Sequence, residues 1–329
     1  MNIKVKNKKT AQKAMMRANS SPITHYASRI MSLALCALML FSQTVWALPQ
    51  GGDVVAGSST ISQPNPTTMH INQTTDKSII NWQSYSIAAG GKVQYFQPSS
   101  SSVSLNRVIG ADPSHIYGLL TANGRVWVVN PNGLLVGPTG KIETAGFLAS
   151  TLNIGNEDFM SGKYVFQAVS GGLSSISNLG TITTQDGGYV VLAAPSITNK
   201  GAIIARLGKV HLASGDEATL NFASNDLISL VVNKAGDNGS IFNSNSGSIK
   251  ADGGLIALTI KQADNALKGI VNNTGIIQAR GINEANGVIR LEAANVLQQG
   301  TVDAKGGNIE IHDRDTCQKR LFWRWQDNC

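Results

Sequence analysis

The second half of the chain alternates apolar and polar residues in short stretches that are separated by glycines. Two positions after a first glycine, five successive segments carry a β-branched apolar residue: Ile182, Ile203, Ile249, Ile277 and Val302. After a second glycine, each segment carries an alternating apolar pair: Val190 with Leu192, Val210 with Leu212, Ile256 with Leu258, Ile289 with Leu291, and Ile309 with Ile311. Alternation with a period of two places such side chains on one face of a β-strand. The pattern therefore predicts two short strands in every segment.

These segments recur along the chain with a nearly regular spacing. Their first glycines lie 21 to 28 residues apart, except for one interval of 46 residues, which we interpret as two turns of about 23. Self-similarity at this period is typical of a solenoid, in which stacked copies bury the apolar face that one copy cannot bury alone. Corner glycines would supply backbone angles with φ > 0. The sequence thus predicts an all-β fold, a parallel β-helix, over a β-sandwich, which would not keep five segments in phase.

Two positions before the first glycine, four of the five segments carry an asparagine, and the fifth carries a glutamine. Side-chain amides at equivalent positions of stacked coils can bond to one another in a ladder. We expect this ladder to consist of Asn178, Asn199, Asn245 and Asn273. We assign these residues a structural role.

Charge is concentrated at the N-terminus. The chain has a net charge of +7 from 27 basic and 20 acidic residues, but seven basic residues and no acidic residue fall in the first 47 positions. The remainder carries 20 of each sign and is neutral, so the basic balance does not indicate nucleic-acid binding. Charged residues make up 14% of the chain, and there are 34 glycines, which suits a slender β-structure with polar turns.

Residues 1–47 are predicted to be a signal peptide with an extended basic leader, recognised by the general secretory machinery. A basic stretch precedes an apolar run at 30–41 and a cleavage site after Ala47, so that Leu48 would begin the mature chain. The run is short for a membrane span, which disfavours an uncleaved anchor. A lipoprotein signal at Cys36 is disfavoured as well, because no small residue directly precedes this cysteine.

Residues 48–170, which we expect to form an N-terminal cap and the first coils, carry four distinctive phrases. These are Asn-Trp at 81–82, Asn-Arg-Val at 106–108, Asn-Pro-Asn-Gly at 130–133 and Gly-Phe-Leu-Ala-Ser-Thr-Leu-Asn-Ile at 146–154. The third phrase suits a β-turn, since Pro131 presets φ at its second position. In this order and spacing, the phrases resemble the N-terminal secretion (haemagglutination-activity) domain of the filamentous haemagglutinin family. The closest likeness is to the high-molecular-weight adhesin branch of two-partner secretion exoproteins, and a second asparagine-proline motif of the family is not visible here.

The resemblance implies a right-handed parallel β-helix with an N-terminal cap and small side strands. It also implies that the unfolded chain is recognised by the periplasmic domains of an outer-membrane barrel transporter, threads through it, and folds outside the cell or at its surface. The candidate recognition residues are Asn106, Arg107, Asn130, Pro131, Asn132 and Gly133. The alternative is that these residues only support the fold, as a turn and as bonds to a neighbouring loop. A host-cell receptor or glycan could be a further partner of the exported protein.

The β-helix repeats are expected to occupy residues 171–313, and the segment 314–329 differs from them in composition. It contains three aromatic residues and two cysteines, Cys317 and Cys329. An exported chain meets an oxidising compartment, so this pair could form a disulfide and close a terminal loop; some relatives in the adhesin branch keep such a pair for anchoring. The other interpretation, which we favour, is translation out of frame after the fifth repeat.

Catalysis is not expected from this sequence. Glycoside chemistry needs clustered carboxylates, whereas the acids here are dispersed, and the adjacent Asp216 and Glu217 would face opposite sides of a strand. His211 lies between two apolar residues, so we expect it to point to solvent, and no set of cofactor or metal ligands emerges. Two alternative functions stay open: the export domain of a cytolysin or growth-inhibition toxin, and a polysaccharide-active β-helix protein.

Overall fold

The computed structural model describes residues 48–169, 174–223, 226–234, 239–261, 269–282 and 285–313. The predicted signal peptide, which ends at Ala47, and the segment with Cys317 and Cys329 lie outside these ranges. The cleavage site and the disulfide therefore stay predictions. Leu48 is buried, with 2% of its surface exposed. Within the described ranges, no helix has the length and apolar character needed to cross a membrane.

Nearly all of the regular structure in these ranges is β-strand. The N-terminal part contains β1 (Asp53–Ala56), β2 (Ser59–Asn65), β3 (Thr68–Gln73), β4 (Lys77–Trp82), β5 (Lys92–Phe96), β6 (Val103–Val108), β7 (Ser114–Ile116), β8 (Leu119–Ala122), β9 (Arg125–Val129), β10 (Leu134–Val136) and β11 (Lys141–Ser150). A short helix, α1 (Asn156–Ser161), and β12 (Tyr164–Gln167) follow. The remaining strands are β13 (Ser175–Asn178), β14 (Thr181–Ala193), β15 (Ser196–Asn199), β16 (Ala202–Ile204), β17 (Lys209–Ser214), β18 (Glu217–Ala223), β19 (Asp226–Lys234), β20 (Ser240–Asn243), β21 (Ser248–Lys250), β22 (Leu255–Ile260), β23 (Ile270–Asn273), β24 (Ile276–Gln278), β25 (Val288–Ala293), β26 (Asn295–Gln298), β27 (Thr301–Asp303) and β28 (Asn308–Asp313).

The strands stack in three parallel rows, and each complete coil contributes one strand segment to each row. The first row is β7, β10, β13, β15, β20, β23 and β26. The second row is β3, β5, β8, the first halves of β11 and β14, then β16, β21, β24 and β27. The third row is β4, β6, β9, the second halves of β11 and β14, then β17, β22, β25 and β28. The predicted parallel β-helix is thus confirmed.

An antiparallel cap covers the N-terminal end of the stack. Strand β1 pairs with β4, and β2 pairs with β3, each in the antiparallel sense. An uncovered end would present unpaired backbone groups to other chains, so the cap removes an edge that could template aggregation.

The apolar residues of the five repeats align in columns, as the pattern predicts, although one pair of neighbours differs from the expected spacing. Ile182 pairs in register with Ile203, Ile203 with Ile249, and the column continues through Ile277 and Val302. The residues of this column up to Ile277 are fully buried inside the solenoid. Each such side chain contributes about 1.5–3 kcal/mol by its burial, so the inner columns are the main source of stability of the stack.

The first glycines of the repeats serve close approach between coils. A Cβ atom on Gly201 would lie 2.1 Å from the backbone oxygen of Gly180, and one on Gly300 would lie 2.1 Å from that of Gly275. Positive φ occurs instead at the second corner, at Gly187, Gly253 and Gly306. The first corner therefore needs glycine for space. The second corner needs it for backbone angle at these three positions and also for space, since a Cβ on Gly254 would lie 1.9 Å from the backbone oxygen of Gly208.

The interpretation of the 46-residue interval as two coils is wrong. Asn199 pairs directly with Asn243 in the first row, so one coil separates them. The extra residues form the antiparallel hairpin of β18 and β19, which leaves the stack after β17 and pairs with β12. A hairpin strand also alternates with a period of two, so periodicity alone could not distinguish it from a further coil.

The predicted asparagine ladder exists, but one of its members was assigned wrongly. Nδ2 of Asn178 donates to Oδ1 of Asn199 at 2.8 Å, and the chain of amides continues to Asn243, Asn273 and Gln298. Asn245 lies on the surface in the turn that follows Asn243. This turn has two more residues before its glycine than the equivalent turns, which is why counting back from Gly247 selects the wrong asparagine.

A second core lies outside the solenoid, on the outward face of the third row. Helix α1 and the antiparallel sheet of β12, β18 and β19 cover this face with aromatic side chains around Trp127. The Trp127 ring is fully buried, it lies edge-on to Phe159 and Tyr164, and its Nε1 donates to the Tyr189 hydroxyl at 2.8 Å. These elements are the small side strands that the family resemblance implies.

The covered face also corrects the expectation for His211. Its side chain points outward from the solenoid but is only 4% exposed, and its Nε2 has no hydrogen-bond partner among the described residues. Burial, with a smaller effect of Lys209 and Arg290, lowers the pKa of His211 to about 4. The neutral imidazole is therefore the form that the fold holds.

Candidate partner-recognition region

The segment Asn130–Gly133 forms a β-turn between β9 and β10. The backbone N–H of Gly133 donates to the carbonyl oxygen of Asn130 at 3.0 Å, and the N–H of Asn132 donates to Oδ1 of Asn130 at 2.9 Å. Gly133 has a φ of +107°, a conformation that glycine adopts at little cost. The first asparagine, the proline and the glycine are each explained by the local backbone.

The turn is anchored to the preceding loop by its two asparagine side chains. Nδ2 of Asn130 donates to the carbonyl oxygen of Asp112 and to the hydroxyl of Ser114, both at 3.0 Å. Nδ2 of Asn132 donates to the carbonyl oxygen of Gly110 at 2.9 Å. Asn130 is 1% exposed, whereas Asn132 lies on the surface. Of the two amides, only that of Asn132 is open to a partner in the folded domain.

Asn106 is the centre of a buried polar network inside the first coils. Its Oδ1 accepts hydrogen bonds from the indole of Trp82 at 2.9 Å and from the hydroxyl of Tyr95 at 2.8 Å. Its Nδ2 donates to the carbonyl oxygen of Trp127 at 3.3 Å, and Tyr85 bonds to the hydroxyl of Tyr95 at 2.8 Å. Burial raises the pKa of both tyrosines above the ordinary value, so both stay neutral donors. A buried amide whose polar atoms are all satisfied fixes the packing around it.

Arg107 binds the segment that leads into α1. Its Nε donates to Oδ1 of Asn153 at 3.0 Å, and its terminal nitrogens reach Oδ1 of Asn156 at 2.6 Å and the carbonyl oxygen of Ile154 at 2.5 Å. A further bond joins it to Oδ1 of Asn81 at 3.3 Å. Burial lowers the pKa of this guanidinium from its ordinary high value. Because the fork of donors is engaged with neutral oxygens, the charge is solvated by the protein itself.

The fold brings the two candidate segments together. Strand β6 pairs in register with β9, so Arg107 lies beside Val129, the residue before the turn. Sequence reasoning missed the residues that hold these groups, above all Ser114, Asn153 and Asn156. Asn153 was part of a distinctive phrase, but its role depends on the path of the chain into α1, which periodicity does not give. Among the described residues, no group of three histidine, cysteine, aspartate or glutamate side chains could hold a metal ion.

Comparison with known proteins identifies the class to which this architecture belongs. The family model described as TPS secretion domain, for two-partner secretion, matches residues 47–311. The chain belongs to this family. It is the secretion domain of a two-partner secretion exoprotein, and membership implies export from the cell and, in general, a cognate outer-membrane transporter.

Individual relatives agree with this assignment. Two proteins of Haemophilus influenzae named heme/hemopexin-binding protein are 32% identical over 83% of the chain and 33% identical over 79% of it. The chain spans 31% and 29% of the length of these relatives.

Solved structures show the same fold. The secretion domain of HMW1 from Haemophilus influenzae superimposes with a TM-score of 0.62 at 28% identity, covering 78% of this chain and 73% of that domain. The filamentous hemagglutinin secretion domain superimposes with a TM-score of 0.50 at 13% identity, covering 80% of this chain and 100% of that domain, and supports the fold alone.

Proposed function

We propose that the transporter recognises the segments 106–107 and 130–133 while the chain is unfolded, and that the same residues then lock the first coils of the folded domain. The observation that carries this proposal is the burial of Asn106 and Asn130, which are 0% and 1% exposed. Their amides are bonded to other groups of the same domain. A partner that reads these two side chains must therefore meet them before folding is complete.

The order of events follows from the chemistry of the two states. In the unfolded chain, the amides of Asn106, Asn130 and Asn132 and the guanidinium of Arg107 are free to donate to a partner. In the folded domain, the donors of Asn106, Arg107 and Asn130 are used internally and only the amide of Asn132 lies on the surface. Folding outside the cell therefore removes most of the groups that the transporter binds. Release of the chain from the transporter is then coupled to folding, because the transporter can bind most of these side chains only in the unfolded chain.

A matched pair of variants separates recognition from stability. Asn130→Ala removes the asparagine of the motif, whereas Ser114→Ala removes the hydroxyl to which Asn130 donates and leaves the motif intact. Asn130→Ala loses the bonds of this side chain to Asp112, Ser114 and Asn132, whereas Ser114→Ala loses the bond from Asn130. Each buried bond is worth about 1 kcal/mol, so the secretion of each variant is compared with its own measured stability. Both variants are expressed with the cognate transporter, secreted protein is quantified in the medium, and stability is measured on the purified domain.

We expect Asn130→Ala to lower secretion far more than its loss of stability accounts for, whereas the secretion of Ser114→Ala should fall only in proportion to its loss of stability. In a direct binding assay, the periplasmic domains of the transporter should retain urea-unfolded protein and not the folded domain. Secretion that declines with stability alone, equally in both variants, would leave the turn a purely structural element.

We propose no catalytic role for this domain. The relatives are secretion domains and heme/hemopexin-binding proteins, and the toxin and polysaccharide-active alternatives gain no support from them. We do not assign heme or hemopexin binding, after which those longer relatives are named, to this chain, because it matches less than a third of each. Retention at the outer membrane and a host-cell receptor are proposals that secretion assays and cell-binding assays would test.

A further inference from the structure

A groove crosses the surface of the solenoid where the chain turns from the second row into the third. It exists because these turns, which we call corners, differ in length from coil to coil. The corner between β5 and β6 spans residues 97–102, and the corner within β14 spans residues 185–188. Between these two, the corner from β8 to β9 has only two residues, and the bend within β11 is a single bulged position at Ala145. Two short corners between two long ones leave a cleft of about 520 Å³. At about 4.8 Å per strand, the strands β5 and β14 that carry the two long corners lie about 14 Å apart, centre to centre.

The walls of this groove carry neutral hydrogen-bonding groups and one aromatic ring. Amides come from Gln94, Asn123 and Gln185, a hydroxyl comes from Thr183, and the one carboxylate is that of Glu143. Among the described residues, no lysine or arginine lines the groove. Phe96 also lines it, and its ring is 41% exposed and held edge-on by His70 at a centroid distance of 5.3 Å.

Polar groups beneath the groove lack partners. In the part of the chain that the structure describes, seven buried side-chain polar atoms make no hydrogen bond, and three of them belong to residues that line this groove: Thr121, Thr144 and Thr184. Thr144 and Thr184 are 2% and 7% exposed. Unsatisfied buried hydroxyls are uncommon in folded proteins. Because these three oxygens are shielded from solvent, a ligand in the groove would meet the exposed side chains above them and not the hydroxyls themselves.

The backbone of the groove is already engaged. Strands β5, β8, β11 and β14 pair with one another across it in continuous parallel register. An extended peptide would need free backbone donors and acceptors at a sheet edge, and this surface offers side chains instead. The occupant must therefore be recognised by amide, hydroxyl and carboxylate side chains together with an apolar ring face.

We propose that this groove binds a neutral oligosaccharide. Sugar hydroxyls both donate and accept hydrogen bonds, as the amides and hydroxyls of the groove do. The apolar face of a pyranose ring stacks on an exposed aromatic side chain, which Phe96 provides. Glu143 accepts hydrogen bonds from hydroxyls and repels anionic groups, so sulfated and sialylated glycans are excluded. The site goes beyond the proposed export role and does not depend on it.

The test uses the purified secreted protein and a printed array of uncharged oligosaccharides, with sulfated and sialylated glycans on the same array. The best uncharged oligosaccharide is then titrated by calorimetry against the parent, Phe96→Ala and Thr183→Arg. The control is Leu297→Ala, which removes another exposed apolar side chain, 47% exposed, from β26 in the first row. Circular dichroism confirms that each variant is folded.

We expect at least one uncharged oligosaccharide to bind, and both groove variants to weaken it by about tenfold or more, the loss of one good contact. Leu297→Ala should bind like the parent. The proposal is overturned if no uncharged oligosaccharide binds, if only charged glycans bind, or if both folded groove variants keep the parent affinity. Because no transporter is present in this assay, its outcome is independent of the secretion experiment.

Discussion

The amide ladder offers a sharp test of how the coils are held in register. Asn243 and Asn245 are two residues apart, yet the first is a buried member of the ladder and the second lies in an exposed turn. Asn243→Ala removes the acceptor of the bond from Asn199 and the donor of the bonds to Asn273 and to the carbonyl oxygen of Ile276. Asn245→Ala removes an amide from the surface. The pair compares the same chemical change at two depths.

The cost can be worked out from the contacts that remain. Among the described residues, Nδ2 of Asn199 has no other hydrogen-bond partner, whereas Oδ1 of Asn273 still accepts from the N–H of Gly275 at 3.2 Å. An unsatisfied buried donor costs about 1–3 kcal/mol, and the lost bond to Ile276 about 1 kcal/mol. We therefore expect Asn243→Ala to lower the free energy of unfolding by about 2–4 kcal/mol. For Asn245→Ala, we expect a change within about 0.5 kcal/mol.

The measurement is urea denaturation of the purified domain, followed by far-ultraviolet circular dichroism. A stack of repeats can unfold in parts, so the loss should appear in the transition of the coils that contain β15 to β24. Equal destabilisation by the two substitutions, or an Asn243→Ala variant within about 0.5 kcal/mol of the parent, would refute the assignment of the ladder.

Two further predictions concern basic side chains that the fold withdraws from solvent. The pKa of His211 falls from its ordinary 6.5 to about 4 on folding, so its contribution to stability is present above pH 6.5 and is lost as the pH falls toward 4. His211→Gln should therefore flatten the plot of unfolding free energy against pH in that window. An unchanged plot would contradict the assignment. Arg107→Lys should cost about 1–3 kcal/mol, since an ammonium cannot reproduce the four bonds of the guanidinium. The control Arg206→Lys, at an exposed ion pair with Asp186, should cost less than about 0.5 kcal/mol in thermal unfolding.

The sequence determines the inner columns of the solenoid because periodicity reports the environment of each side chain directly. The inward β-branched positions of the five repeats form one column from Ile182 to Val302, as predicted, except that Ile203 and Ile249 are direct neighbours with no further coil between them. The residue types of segment 130–133 predict its β-turn, since proline fixes φ and glycine permits the positive φ that the turn requires. These features depend on residues close in sequence, so no knowledge of the rest of the fold is needed.

Features that depend on contacts between distant residues could not be predicted in this way. His211 is buried because the hairpin of β18 and β19 covers the third row. The residues next to His211 in the sequence do not predict that this hairpin packs there. The burial of Asn106 likewise depends on Trp82 and Tyr95, which lie on two other strands. The prediction of Asn245 as a ladder member is wrong for a local reason. The turn before Gly247 is two residues longer than the equivalent turns, so the spacing to the glycine does not identify the buried asparagine.

The buried polar network of the first coils determines the stacking register, which the apolar columns alone do not determine. Isoleucine columns repeat from coil to coil, so they stabilise a stack that has slipped by one coil almost as well as the correct one. Asn106 depends on Trp82, Tyr95 and the carbonyl oxygen of Trp127 for its bonds to other strands. A slipped stack would bury it with only its local bonds to Ser104, and its Oδ1 would lose both donors. Such a loss costs several kcal/mol. The polar network around Asn106 thus fixes one register for the first coils. Each later coil can then add to the coil before it in that register.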